Sequence, residues 1–354
     1  NTLYDLAKND DRVYALISDN GAIVYDKYRA DLAKQYLNLG ISEANMIGMA
    51  AGMASCGKIP YAYTIGAFLA YRAYEFIRND VCLQNQNVKI VGVGIGEAYS
   101  ALGSTHHSTE DLGNLRSLPN LTIITPASPM ETAKATRAIY EHVGPVYLRL
   151  GTNREPEIYK EDYEFEIGKG ITLKDGEDIT LVGSGTILKD ILEVAELLER
   201  EGIHTRVINI HTIKPFDRDI IMKAIEETGK IITIEDHNII GGLGSAVAEV
   251  LSCKHPVKMA MVGQKDTFGE SGKPDQLKEK YGSKIAFWGG ISTQKTLPYG
   301  TPADVAEETR KVTSALARNG GYIIAPSQEI QADVPFENLC ALIDTANAIT
   351  YEEV

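Results

Sequence analysis

Short β-branched runs alternate with amphipathic stretches from one end of this chain to the other, and that rhythm restricts the fold more than any single motif does. Val13–Ser18, Val88–Gly92, Leu121–Thr125 and Val146–Leu150 are compact, apolar and bounded by Gly, Pro or Asn, the marks of buried strands. Between them Ala44–Ser55, Ala67–Leu83 and Pro129–His142 space their apolar residues for one face of a helix. Near-continuous apolar strands separated by helices predict a mostly parallel sheet covered on both faces, an α/β fold. This first domain is expected over residues 1–155. The polar, charged stretch Gly151–Gly170 contains a linker, set at 156–170.

The rhythm then restarts. Strands are expected at Ile179–Gly183, Thr205–Ile210, Ile231–Glu235 and Pro256–Val262, with helices at Leu188–Arg200, Asp217–Thr228 and Gly242–Cys253. They compose a second, smaller α/β domain over 171–282. Residues 283–354 add two more βα units, with strands at Ile285–Gly290 and Gly321–Ala325 and helices at Pro302–Arg318 and Pro335–Ala348. The fold class is therefore two doubly wound α/β domains plus a short βαβα tail.

Composition narrows the function. The 354 residues are 44% hydrophobic, enough for about two packed cores. A formal charge of −13 argues against sequence-independent binding to nucleic acid or an anionic membrane, which needs a basic face. A phosphorylated substrate would have to be met by a few local cations. The four cysteines are far apart and form no CxxC pair, so they read as free thiols in a reducing cytoplasm and not as metal ligands. No apolar run approaches the roughly 20 residues that span a bilayer. Asn1-Thr2-Leu3-Tyr4 is neither a signal nor a transit peptide, and the missing Met fits a start that is absent or processed.

Three stretches could carry chemistry. In Gly40-Ile41-Ser42-Glu43-Ala44-Asn45-Met46 the chain turns through Gly40 into a helix, with Ser42 placed to cap it and Glu43 in its first turn. An acid there complements the backbone dipole and is common on surfaces. The helix it opens, however, continues as Gly48-Met49-Ala50-Ala51-Gly52, small residues suited to close packing at an interface. Thr64-Ile65-Gly66-Ala67-Phe68-Leu69-Ala70-Tyr71-Arg72 sets aromatic rings at i and i+3, a spacing as common in cores as in sites. Gly103-Ser104-Thr105-His106-His107-Ser108-Thr109-Glu110-Asp111 puts paired imidazoles in a Gly/Ser/Thr loop; adjacent side chains diverge, which disfavours a metal.

Taken in order, these stretches resemble the pyrimidine-binding domain of the transketolase family, whose relatives include deoxyxylulose-phosphate synthase and the β subunits of 2-oxo-acid dehydrogenases. The resemblance covers about residues 1–282 and implies thiamine diphosphate as cofactor. It implies that Glu43 hydrogen-bonds the aminopyrimidine and so promotes loss of the thiazolium proton, a bond that water would weaken. It places Phe68 flat against that ring, Tyr71 one turn later, and Ile41 beside the cofactor. It makes His106 a donor to the substrate near the reacting carbon, with His107 next to it. Arg149, and after it Arg154, fall where the family often places a phosphate-binding fork. Ile65 departs from a commoner aromatic residue. Leu102 replaces an acidic residue that reads sugar hydroxyls, which puts the usual sugar phosphates in question. Glu235-Asp236-His237-Asn238 and Gly241-Gly242-Leu243-Gly244 read as structural parts of the second domain, and Asp266–Gly272 matches its end.

The family also needs a domain that holds the diphosphate through Mg²⁺, marked by Gly-Asp-Gly and a later Asn. No Gly-Asp-Gly occurs here. The expectation is the C-terminal subunit of a split transketolase, active only in an α2β2-type assembly with an N-terminal subunit that carries the Mg²⁺. Two rivals stay open: a pyruvate or 2-oxo-acid enzyme with the same cofactor, and a non-catalytic assembly partner. Phe287-Trp288-Gly289-Gly290, Gly320-Gly321-Tyr322 and Val334-Pro335-Phe336 resemble the last two βα units of uroporphyrinogen-decarboxylase-type barrels, which cannot close a barrel alone.

Overall fold

A computed structural model describes residues 1–19, 23–99, 102–152, 155–254, 256–269, 287–293, 295–317, 322–327, 330 and 333–349. The strands are β1 (Val13–Ile17), β2 (Tyr36–Asn38), β3 (Ile59–Ile65), β4 (Lys89–Val93), β5 (Thr122–Ile124), β6 (Val146–Leu150), β7 (Ile171–Lys174), β8 (Ile179–Gly183), β9 (Thr205–Asn209), β10 (Thr212–Lys214), β11 (Lys230–Asn238) and β12 (Lys258–Gln264). Strands β1 to β6 run parallel in one sheet, and β10 adds an antiparallel edge, giving the order β10-β5-β6-β4-β3-β1-β2. A five-stranded sheet, β12-β11-β8-β9-β7, is parallel except for β7.

The helices over the first sheet are α1 (Thr2–Asn9), α2 (Asp26–Asp31), α3 (Glu43–Ser55), α4 (Gly66–Arg72), α5 (Tyr74–Phe76), α6 (Asp111–Arg116) and α7 (Pro129–Glu141). Those over the second are α8 (Leu188–Arg200), α9 (Arg218–Thr228) and α10 (Leu243–Lys254). All five residues of β4 are buried, as expected for a central strand covered on both faces. The single helix expected over Ala67–Leu83 is divided: α4 ends at Arg72, α5 follows, and Ile77–Cys82 is π-helical. Such local rewinding is frequent beside functional sites. Here it ends α4 with Tyr71 and Arg72 on the surface.

The two domains share one core. Leu16, Ile47, Ile90 and Tyr147 belong to the same buried cluster as Val182, Ile208, Leu243 and Val247. Strand β10 lies in the second domain by sequence yet pairs with β5 through Thr212 and Ile124. Residues Asn1–Gly269 accordingly form one compact unit. Between β6 and β7 no helix or strand occurs among the described residues. That stretch is fastened by Glu131 at the start of α7, which is fully buried. Its carboxylate accepts from the Ala127 N–H at 2.6 Å, Tyr159 and Tyr163 Oη at 2.7 Å each, and Asn209 Nδ2 at 2.9 Å.

Residues Glu270–Val354 make a second unit. Two short strands, Phe287–Trp288 and Tyr322–Ile323, pair in parallel. Helices Pro302–Leu316 and Phe336–Ala348 bury Val305, Val312, Leu316 and Leu342 together with Ile291 and Leu297. Thr301 and Asp304 close a capping box at the first of these helices. Among the described residues no helix is long and apolar enough to cross a membrane.

Glu131→Ala removes the acceptor of four donors and should cost about 3 kcal/mol, or roughly 6–10 °C in thermal midpoint for a body of this size. Calorimetric scans of the variant beside the parent chain check this.

Candidate active site

Helix α3 begins at Glu43, which is buried although it stands in the first turn: the residue is only 3% exposed. Ser42 occupies the capping position without capping. Its hydroxyl donates instead to the Leu39 carbonyl at 2.8 Å, which corrects the expected cap and leaves the first backbone N–H groups of α3 free of it. Ile41 is 75% exposed, two residues ahead of the carboxylate.

Helix α4 supplies the opposite wall. Phe68 is half-buried, and the Arg72 guanidinium lies over its ring, 4.3 Å from the centroid. The same guanidinium reaches the Glu43 carboxylate at 3.3–3.4 Å. Arg72 is the one donor to that carboxylate among the described residues. His106 meets the Phe68 ring edge-on at 5.0 Å between centroids. Glu43, Phe68 and His106 are thus brought together, with Arg72 among them. Tyr71 turns away to Glu110, donating to Oε2 at 2.6 Å and accepting the Glu110 N–H at 3.1 Å.

The histidines sit on a loop closed at its base by two backbone bonds between Gly96 and Ser108, 3.1 and 2.8 Å long. Gly96 has φ +58°, and a Cβ there would fall 1.8 Å from an oxygen of Asp236, so only glycine lets β11 approach the loop. Partial burial, with His107 and Arg72 adding to it, holds the His106 pKa below its usual value, so the ring is neutral at pH 7. Thr105 engages Nδ1 at 3.0 Å. His107 is buried, and among the described residues neither of its ring nitrogens has a hydrogen-bond partner. Gly269 closes over this imidazole so tightly that a Cβ would lie 2.3 Å from Nδ1. A buried, unpaired imidazole is costly, which points to a use beyond packing.

Arg149 requires a correction. Placed by sequence as a phosphate fork, it is 2% exposed and committed inside the protein. Its Nε donates to Asp111 Oδ2 at 2.8 Å, and Nη2 donates to the carbonyls of Ser108 and Asp236 at 3.1 and 2.9 Å. Tyr147 Oη adds a 2.7 Å bond to the same Asp111 oxygen. His237 accepts the Gly113 N–H and donates through Nδ1 to the Asn238 carbonyl at 2.6 Å. The last residues of β11 therefore brace the histidine loop. Arg154 lies outside the described residues, as do Ser100 and Ala101 of the loop. Sequence reading missed Arg72, Asp111 and His237 as site-building residues; Arg72, one turn beyond Phe68 and able to face Glu43, offered the only signal.

Family models described as the transketolase pyrimidine binding domain and the transketolase C-terminal domain match residues 1–155 and 168–286. The chain belongs to the transketolase family. It is 38% identical over 281 residues to the 6-deoxy-6-sulfo-D-fructose transketolase subunit SqwH of Clostridium sp. (strain MSTE9), covering 79% of this chain and 87% of that one. It is 36% identical over 283 residues to an apulose-4-phosphate transketolase subunit of Phocaeicola vulgatus, covering 79% and 90%. A 1-deoxy-D-xylulose-5-phosphate synthase of Crocosphaera subtropica is 35% identical, but this chain spans only 45% of it. A solved split-gene transketolase, described as an inactive beta4 tetramer, superposes with TM-score 0.71 at 37% identity, covering 89% of this chain and 96% of that one.

Arg149→Met leaves Asp111 buried without its counter-charge, with the Tyr147 hydroxyl still bonded to it, and should cost about 3–5 kcal/mol before any substrate is added, read as lost thermal stability of the unliganded chain. A second test uses Glu235, whose pKa burial lifts to about 7 although it accepts the N–H groups of Leu243 and Gly244. The folded state then holds this proton more tightly than the unfolded chain, so the contribution is full below the ordinary value of 4.5 and lost as pH rises through about 7. Glu235→Gln should flatten the fall in stability across that window relative to the parent.

Proposed function

We propose that this chain is the C-terminal subunit of a two-chain, thiamine-diphosphate-dependent transketolase, a transferase of class EC 2.2.1 that moves a two-carbon ketol unit from a ketose, phosphorylated or similarly charged, to an aldose. One observation carries the reading: a buried carboxylate at a helix start and an aromatic ring from the next helix, bridged by a solvent-exposed arginine, with a histidine at the ring's edge. The residues fit the expected cofactor, because the one donor to Glu43 among the described residues is the long-bonded, exposed Arg72, whose flat head lies on the Phe68 face that a planar ring would use.

When bound, thiamine diphosphate supplies the carbon nucleophile. Glu43 holds a hydrogen bond to the aminopyrimidine where water is largely excluded, so the bond is stronger than on a surface. Phe68 would carry the ring on its face, with the exposed Ile41 beside it, and Tyr71 would take part only on leaving its bonds to Glu110. His106 would donate from the nitrogen opposite Thr105 to a substrate oxygen, with His107 next to it in the loop. Removing the Glu43 carboxylate would cost both the proton relay and the ring's orientation.

The diphosphate and its Mg²⁺ fall to an N-terminal subunit in an α2β2-type assembly. The relatives' names, each a transketolase subunit matched over most of its length, support this. So do exposed apolar residues around α3 and after α4, namely Met49, Phe76 and Leu83. Cys56, Cys82 and Cys340 are free thiols, which suits a cytoplasmic enzyme. The 35% identity to a 1-deoxy-D-xylulose-5-phosphate synthase, with Leu102 at the hydroxyl-reading position, favours a second reading in which pyruvate is the donor.

The chain, reconstituted with its N-terminal subunit, should release aldose from a ketose phosphate and show no activity with pyruvate. Glu43→Gln should lower that rate by about 10²-fold or more at unchanged assembly. Turnover of pyruvate alone selects the second reading, and a fully active Glu43→Gln complex removes both.

A further inference from the structure

The place between Glu43 and Phe68 is filled by the chain itself. Arg72 spans it, with its planar head 4.3 Å above the Phe68 centroid and its Nη1 shared between the two oxygens of the carboxylate. Building on the reading of this cleft as a pyrimidine site, we propose that Arg72 is a resident stand-in for the cofactor ring, which occupies the cleft in the cofactor-free subunit and must swing out before the ring can stack.

The guanidinium resembles an aminopyrimidine in the two respects that matter here. It is flat and delocalised, so it lies on an aromatic face, and its edge donates N–H groups to a carboxylate. Both contacts engage the same two side chains that the ring would need, and a ring stacked on this face of Phe68 requires the volume the guanidinium now fills. The occupant is needed, because the Glu43 side chain is only 4% exposed and would otherwise be a buried charge without a donor. It is also removable. The Arg72 side chain is 53% exposed, its two bonds to Glu43 are long, and solvent lies within reach of its flexible stem.

The consequence is thermodynamic. A ligand that binds only the arginine-out state has its affinity reduced by the fraction of molecules in that state. The subunit alone therefore binds the ring weakly, and a contact that draws Arg72 outward raises the affinity. Assembly and cofactor loading become coupled through one side chain.

The test titrates the full chain with 4-amino-5-hydroxymethyl-2-methylpyrimidine, the ring half of the cofactor, by calorimetry. Arg72→Ser should bind it about 3- to 10-fold more tightly than the parent, and Arg72→Lys, which keeps the charge without the flat head, should fall between. In the parent, the Arg72 side-chain N–H resonance, assigned by its loss in Arg72→Lys, should exchange faster with water once the probe is bound. Equal or weaker binding by Arg72→Ser, or an N–H that stays protected at saturation, overturns the stand-in role. Failure of the underlying site reading looks different: binding by parent and Arg72→Ser alike that Phe68→Ala and Glu43→Gln leave unchanged, or no binding by any of them, removes the pyrimidine cleft itself.

Discussion

The ion pair between Asp111 and Arg149 governs how the rest of this protein is put together. Both groups are almost wholly out of water, at 0% and 2% exposure, so each is tolerable only while the other stays in place. Their bond joins α6 to β6, and the spare N–H groups of Arg149 reach the histidine loop on one side and β11 on the other. Burial would raise the acid's pKa, but the guanidinium with His237 and Tyr147 holds it below the ordinary carboxylate range. Two domains that look independent along the chain are pinned at one buried charge.

That pin explains why the candidate site is rigid where it needs to be. His106 and His107 lie on a loop with no regular structure, yet its base is closed by the Gly96–Ser108 pair, its floor rests on Asp236, and Asn238 donates its N–H to the Thr109 carbonyl at 2.7 Å. Catalytic loops work when a rigid scaffold holds both ends. Glu43 and Phe68 come from a helix start and a short helix beside the same sheet, so their separation is set by strand spacing and not by side-chain choice. The least constrained member is Arg72, whose side chain is 53% exposed while that of Glu43 is 4% exposed.

Much of this was legible in sequence, and the failures have physical reasons. Strand runs such as Val146–Leu150 are continuous and apolar because both faces are covered, so they stand out in a window of a few residues. Glu43 stood out only through the family resemblance, because an acid at a helix start is by itself as common on a surface as in a site. Arg149 was misplaced because its partner Asp111 lies 38 positions earlier and arrives only through folding. Ser42 has the composition of a cap, but a local carbonyl competes for its hydroxyl. The role of Arg72 depends on two side chains from different elements converging, which no spacing rule within one segment can express.

Strand β10 carries a lesson about where this protein can be divided. It leaves the second domain to finish the sheet of the first, covering the edge of β5 through Thr212 and Lys214. A gene cut in the stretch between β6 and β7 would look harmless on paper, yet it would expose a ribbon of unpaired amides on one fragment and strand three residues on the other. Natural fission or fusion of such enzymes is therefore expected to spare this junction and to fall on its outer flanks.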